Sequence, residues 1–194
     1  MRMPADQRRN QLFDVARERF AAQGFHATSM DEIAEAAGVT KPVLYQHFPS
    51  KRALYVELLE DTGRELLATL AEATSNAGSG RERVEFGFAA YFTFATHNRA
   101  SFRLLLGTSM RSDPEFGRIV EEIIDAVAET ISALIEIPVP DEQARILANA
   151  LVGMAESVGR RILQDPDYEI DAKQMAGWIG ELAWFGLRGI RSAG

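Results

Sequence analysis

The chain of 194 residues is 46% hydrophobic and 25% charged, an ordinary balance for a globular protein with a sizeable core, and it contains no cysteine. That excludes a disulfide framework, a thiolate metal site and a cysteine nucleophile, and it suits a reducing cytoplasm; no apolar run approaches the roughly 18 residues of a membrane span, and the first residues lack the apolar core of a secretory signal. The formal net charge of −7 divides unequally: residues 1–52 hold 8 basic and 6 acidic side chains against 13 and 22 in the remainder, an asymmetry that points to a nucleic-acid partner for the basic part.

Apolar spacing with a period near 3.6 dominates, and no segment alternates cleanly enough for a strand. Gly24, Gly38, Pro49, the run from Asn76 to Gly80, Asp113-Pro114, Pro138-Val139-Pro140 and Asp165-Pro166-Asp167 punctuate the pattern. The expectation is an all-α protein of about nine helices. The first helix covers 6–23, with Leu12, Ala16 and Phe20 as its buried stripe. Gly24 suits a left-handed C-terminal position, and Phe25 folds back onto the core.

Ser29 and Glu32 form a capping box for a second helix, with Ile33 and Ala34 facing inward. Gly38 permits a positive φ in the turn that follows, and Val39 plugs the core behind it. Thr40 is placed to cap the third helix, with Pro42 in its first turn, where a missing N–H costs little. Leu44 and Phe48 point inward, which turns Lys41, Pro42, Tyr45, Gln46 and His47 outward or sideways. Two short helices joined by a glycine turn, the second rich in outward polar and aromatic groups, are the layout of a helix-turn-helix DNA reader. Gln46 suits an adenine edge, Pro42 and Val43 a thymine methyl, and Thr40, Tyr45 and His47 phosphate oxygens. Lys41 suits phosphate or guanine. Ser50 caps a long fourth helix over about 50–75, and Lys51 adds charge at its start.

At Gly24-Phe25, Thr28-Ser29-Met30, Ile33-Ala34, Ala37-Gly38-Val39, Leu44-Tyr45, His47-Phe48 and Ser50-Lys51 with Leu54, the chain resembles the TetR family of bacterial regulators. The resemblance implies a three-helix DNA-binding domain over 6–52 and a helical ligand-binding and dimerisation domain over 53–194, linked by helix four. It places Thr40, Lys41, Pro42, Tyr45, Gln46, His47 and Lys51 at DNA-contacting positions. Pro42 stands where many relatives have glycine. The partners implied are a double-stranded operator, a second copy of the chain and a largely apolar small-molecule effector, with no cofactor, no metal and no membrane.

Beyond Gly80 the signals are coarser. Phe86, Phe88, Tyr91, Phe92 and Phe94 crowd one helix, and Phe102 with three leucines follows on the next. Some of these rings line a ligand cavity or simply fill a core. Phe88, Tyr91, Phe92 and Phe102 are the apolar candidates, and His97, Arg103, Asn149 and Glu156 the polar ones. The helix after Pro140 carries small residues at Ala148, Ala155 and Gly159 beside Leu151, which suit the close approach of another helix. Asp171 caps a last helix that is apolar on much of its circumference, including Trp178, Leu182, Phe185 and Ile190, and such a helix demands cover. These residues are expected to form a two-fold dimer interface. The function expected is a ligand-responsive homodimeric repressor reading a near-palindromic operator. The alternative is a helical ligand-binding or protein-interaction module whose reading head is vestigial. An enzyme is disfavoured: His26, His47 and His97 show no metal-ligand spacing, and no nucleophile elbow or phosphate-cradling glycine loop is present.

Overall fold

The computed structural model describes residues 4–107, 113–134, 139–165 and 171–188. Among the described residues the chain forms nine α-helices and no strand: α1 (Ala5–Ala27), α2 (Met30–Ala36), α3 (Lys41–His47), α4 (Lys51–Ser75), α5 (Gly80–His97), α6 (Arg99–Leu106), α7 (Pro114–Ala133), α8 (Asp141–Gln164) and α9 (Ala172–Arg188). The boundaries expected at Pro138 and at Pro166-Asp167, and the apolar Ile190, lie outside the described residues.

The helix ends follow from local chemistry. Gly24 interrupts α1 with φ 80° and ψ 166°, which lets Phe25 turn back into the core. Gly38, at φ 66°, makes the α2–α3 turn, and the Val39 N–H closes it on the Ala34 carbonyl at 2.9 Å. Ser50 Oγ accepts the Ala53 N–H at 3.0 Å and opens α4, while Ser79 Oγ accepts the Glu82 N–H at 3.2 Å and opens α5. Asp171 receives the Gln174 N–H at 3.3 Å and opens α9.

The chain divides by contact into two compact units, and the division does not follow linear order. The first unit comprises Met1–Thr62 with Ala100–Val120, so α6 and the start of α7 pack with the N-terminal helices. Its core holds Leu12, Ala16, Ile33, Leu44, Phe48, Leu54 and Leu58, all shut from solvent. An aromatic cluster sits beside them: Tyr55 lies 5.0 Å from Phe20, 5.1 Å from Phe25 and 4.7 Å from Phe116. Arg52 ties the start of α4 to the start of α7. Its guanidinium forks onto both Asp113 oxygens at 2.7 and 3.0 Å, reaches Glu115, and lies 4.5 Å from the centre of the Phe116 ring. The pairing holds the Asp113 carboxyl below its usual range.

The second unit comprises Gly63–Arg99 with Glu121–Gly194. Here α5 packs most extensively on α9, and small residues permit it: a side chain at Gly80 would meet the Trp184 ring at 3.3 Å, and one at Gly180 would meet Glu85 at 3.5 Å. Close approach also marks α4 and α7, where a methyl group at Gly63 would come within 2.7 Å of the Ile123 side chain. Among the described residues no helix is long and apolar enough to cross a membrane.

Candidate functional site

The first unit presents one face of α3. The capping box on α2 sets its foundation: the Glu32 N–H donates to Ser29 Oγ at 3.2 Å, and the Ser29 N–H returns a bond to Glu32 Oε2 at 2.7 Å. Those bonds from Ser29 hold the Glu32 carboxyl below its usual range. On α3, Leu44 and Phe48 are both 0% exposed and anchor the helix. Phe13 stacks on Phe48 at 6.0 Å, and the Arg9 guanidinium lies 4.8 Å from the centre of the Phe48 ring while pairing with Glu57. Thr40, Lys41, Pro42, Tyr45 and Gln46 are exposed, and His47 is half-buried beside Phe48. The helix therefore offers a contiguous polar and aromatic row above a locked apolar underside.

Three of the expected contact residues differ in detail. The Thr40 side chain makes no capping bond, so its hydroxyl stands at the helix start without that duty. The Lys41 ammonium pairs with Asp31 on α2 at 2.9 Å, across the exposed surface. Lys51 does not extend outward: its ammonium donates to the Phe25 carbonyl at 2.8 Å and the Thr28 carbonyl at 2.9 Å, 4.4 Å from the centre of the Phe25 ring. It satisfies carbonyls that the kinked end of α1 leaves over.

A cavity of about 220 Å³ lies within the second unit. Its walls come from Leu70 and Thr74 on α4, Gly80, Arg83, Val84, Gly87, Phe88 and Tyr91 on α5, Val127, Thr130 and Ile131 on α7, Leu151, Val152 and Ala155 on α8, and Trp184 and Leu187 on α9. Of the candidates read from sequence, Phe88 and Tyr91 line it. Phe92 and Phe102 do not; both are buried as ordinary core. His97 is exposed, with Nδ1 2.9 Å from the Thr93 carbonyl, and Asn149 donates to its own helix at Arg145. Arg103 is exposed, and Glu156 pairs with Arg160 at 3.1 Å on α8; none of the four polar candidates reaches the cavity. The lining residues that carry polar side-chain groups are Arg83, Thr74, Tyr91, Thr130 and Trp184. Among the described residues no group of three or more His, Asp or Glu side chains is placed to hold a metal.

The residues expected at a dimer interface fall into two sets. Ala148, Leu151, Ala155 and Gly159 are buried within their own unit, and Leu151 and Ala155 face the cavity. The outward face of α8 carries Ile146, Ala150, Gly153 and Ser157 instead. On α9, Trp178, Leu182 and Phe185 are 55%, 63% and 61% exposed, a large apolar surface for one helix.

The chain belongs to the tetR family of bacterial regulatory proteins, whose N-terminal family description matches residues 12–58 and whose tetracyclin repressor-like C-terminal domain matches residues 81–186. The transcriptional activator FasR of Mycolicibacterium smegmatis is 34% identical over 188 residues, covering 96% of this chain and 85% of that protein. The transcriptional repressor KstR2 of Mycobacterium tuberculosis is 32% identical over 114 residues, covering 58% and 57%. A TetR-like regulator from Rhodococcus sp. RHA1 superposes with a TM-score of 0.82 at 31% identity, over 97% of this chain and 100% of that one. The regulator FadR of Bacillus subtilis, solved with stearoyl-CoA, shares the fold with a TM-score of 0.79 at 16% identity, over 94% and 99%. The chain is thus a DNA-binding transcriptional regulator of the helix-turn-helix type, and its relatives are regulators rather than enzymes.

Proposed function

We propose that two copies of the chain pair through α8 and α9, read a near-palindromic operator through the outward row of α3, and repress until an apolar effector fills the cavity. The observation that carries this reading is the row Thr40, Pro42, Tyr45 and Gln46, exposed on a helix whose Leu44 and Phe48 are wholly shut in. Nothing in the core needs a tyrosine or glutamine there, whereas the major groove does. Lys41 joins them by exchanging Asp31 for a phosphate oxygen. Lys51 acts from beneath, by fixing the end of α1.

The cavity supports the effector part of the reading, because small-molecule sites are concave and mostly apolar with a few placed polar groups. One helix, α4, runs from Lys51 in the first unit to Leu70 and Thr74 on the cavity wall, so the chain itself carries a displacement between them. The effector needs only to bind the two states with different affinity. Activation is the second reading, favoured by the match to FasR along almost the whole chain.

Footprinting on the DNA flanking the gene tests the proposal, at low and moderate salt. A protected palindrome with half-sites about one helical turn apart is expected. No protection at either salt sinks the reading. A transcript count with the gene deleted then separates the two signs: a rise marks repression, a fall activation.

A further inference from the structure

Among the residues that line the cavity, only Arg83 carries a charge. Its position is not a by-product of a basic helix end: Arg81, two residues earlier, points to the exterior and pairs with Glu85 at 2.7 Å. The cavity threonines do not compete as donors. The Thr74 hydroxyl bonds to the Leu70 carbonyl at 2.8 Å and the Thr130 hydroxyl to the Ala126 carbonyl at 2.9 Å, so both protons are turned back into their own helices. Val127, Ile131, Leu151, Val152 and Leu187 make the opposing walls hydrocarbon.

A guanidinium among walls that are mostly hydrocarbon discriminates sharply between guests. Charge interactions are stronger there than in water, so an anion gains and a cation loses. The planar fork suits a carboxylate, and its five N–H donors let it hold a guest alongside the partner it already has. We propose that the effector is an apolar carboxylate, with its anionic head on Arg83 and its hydrocarbon body against Val127, Ile131, Leu151 and Val152. This rests on the cavity being the effector site.

The test compares four compounds of one chain length on the full-length protein: dodecanoate, methyl dodecanoate, dodecylammonium and dodecanoyl-CoA, each below its micelle threshold. Binding is followed by equilibrium dialysis and by the shift of the thermal midpoint. Dodecanoate should bind about tenfold or more tightly than its methyl ester, the factor expected for a charge-assisted hydrogen bond. Dodecylammonium should bind least. Arg83→Gln should erase the preference for the acid over the ester, and Arg83→Lys should keep part of it. If Arg83→Gln does not fold, the wild-type acid-to-ester ratio and Arg83→Lys still decide. Equal binding of acid and ester by the wild type overturns the inference while leaving the cavity as an effector site. So does a preference that survives in Arg83→Gln, or binding of the CoA thioester that the free acid cannot displace. If none of the four binds, the cavity is not the effector site and both readings fall together.

Discussion

Gln46 and Lys51 are five residues apart in sequence, on either side of the α3–α4 corner, yet they answer to different physics. The Lys51 ammonium is already spent on the Phe25 and Thr28 carbonyls, whereas Gln46 is exposed. Lys51→Met should therefore cost about 2 kcal/mol of stability, the worth of hydrogen bonds from a charged donor, seen as a lower urea midpoint. The salt dependence of operator binding should keep its slope, because losing a phosphate contact would flatten it by about 0.9. Gln46→Ala should do the reverse. Its urea midpoint should not move, while operator affinity falls by about 1–3 kcal/mol and discrimination relaxes at a single base pair. A flattened salt slope in Lys51→Met would mean that the lysine leaves its carbonyls for DNA. The capping box adds a pH signature. The Glu32 carboxyl is held below its ordinary 4.5 in the folded chain, chiefly by the bond from the Ser29 backbone. Such a group contributes stability that is fully present above pH 4.5 and lost as pH falls through the lower folded value. Asp113 behaves alike through Arg52. Acid titration should thus lower the urea midpoint below pH 4.5, and Glu32→Gln should reduce that dependence.

Between elements, Gly63 marks a close approach of α4 and α7. Alanine there gains about 1 kcal/mol of helix propensity but drives its methyl group to within 2.7 Å of two Ile123 carbons. Overpacking against a β-branched side chain costs about 1–3 kcal/mol, so Gly63→Ala should be destabilising on balance. Pairing it with Ile123→Ala should show a favourable coupling in a double-mutant cycle; additive losses would deny the contact. Gly63 also illustrates what the sequence does and does not disclose. Caps and turns speak locally: Ser29 with Glu32, Gly38, Ser50 and Asp171 mark helix ends that the structure places at those residues, while Gly24, expected to end the first helix, instead kinks α1, which continues to Ala27. Cavity walls do not, because they are assembled from five helices, and a 3.6 period tells which residues turn inward but not which neighbour they meet. Phe92 and Phe88 are both buried aromatics on α5, yet only Phe88 borders the cavity. On α8 the ambiguity is one of sides. Apolar and small residues occupy two stripes, and the one with Ala148, Ala155 and Gly159 serves the chain's own core. Similarly, α6 follows the second unit's α5 in sequence but packs with the first unit, a long-range choice that no local pattern carries.

For the whole molecule the question is what covers the outward faces of α8 and α9. Gly153 on α8 and Gly177 and Gly186 on α9 are helical glycines on exposed surface, and a side chain at any of them would meet nothing within 4 Å in its own chain. Each costs the helix about 1 kcal/mol relative to alanine, with no return inside the subunit. They neighbour Ile146, Trp178, Leu182 and Phe185, all more than half exposed. A second copy closing on these faces supplies both missing reasons: cover for the large side chains and a backbone approach that only glycine permits. Leu182→Glu should then convert the dimer to a folded monomer in sedimentation. Operator affinity should collapse with it, since a single reading head keeps one half-site of the palindrome. Gly153→Ala separates the two roles of the glycine. By helix propensity it should raise the stability of the isolated subunit, measured in the Leu182→Glu background. In the otherwise native chain it should weaken dimerisation, because the added methyl stands where the partner helix approaches. If Gly153→Ala strengthens the dimer, or Leu182→Glu leaves it intact, another surface joins the two copies.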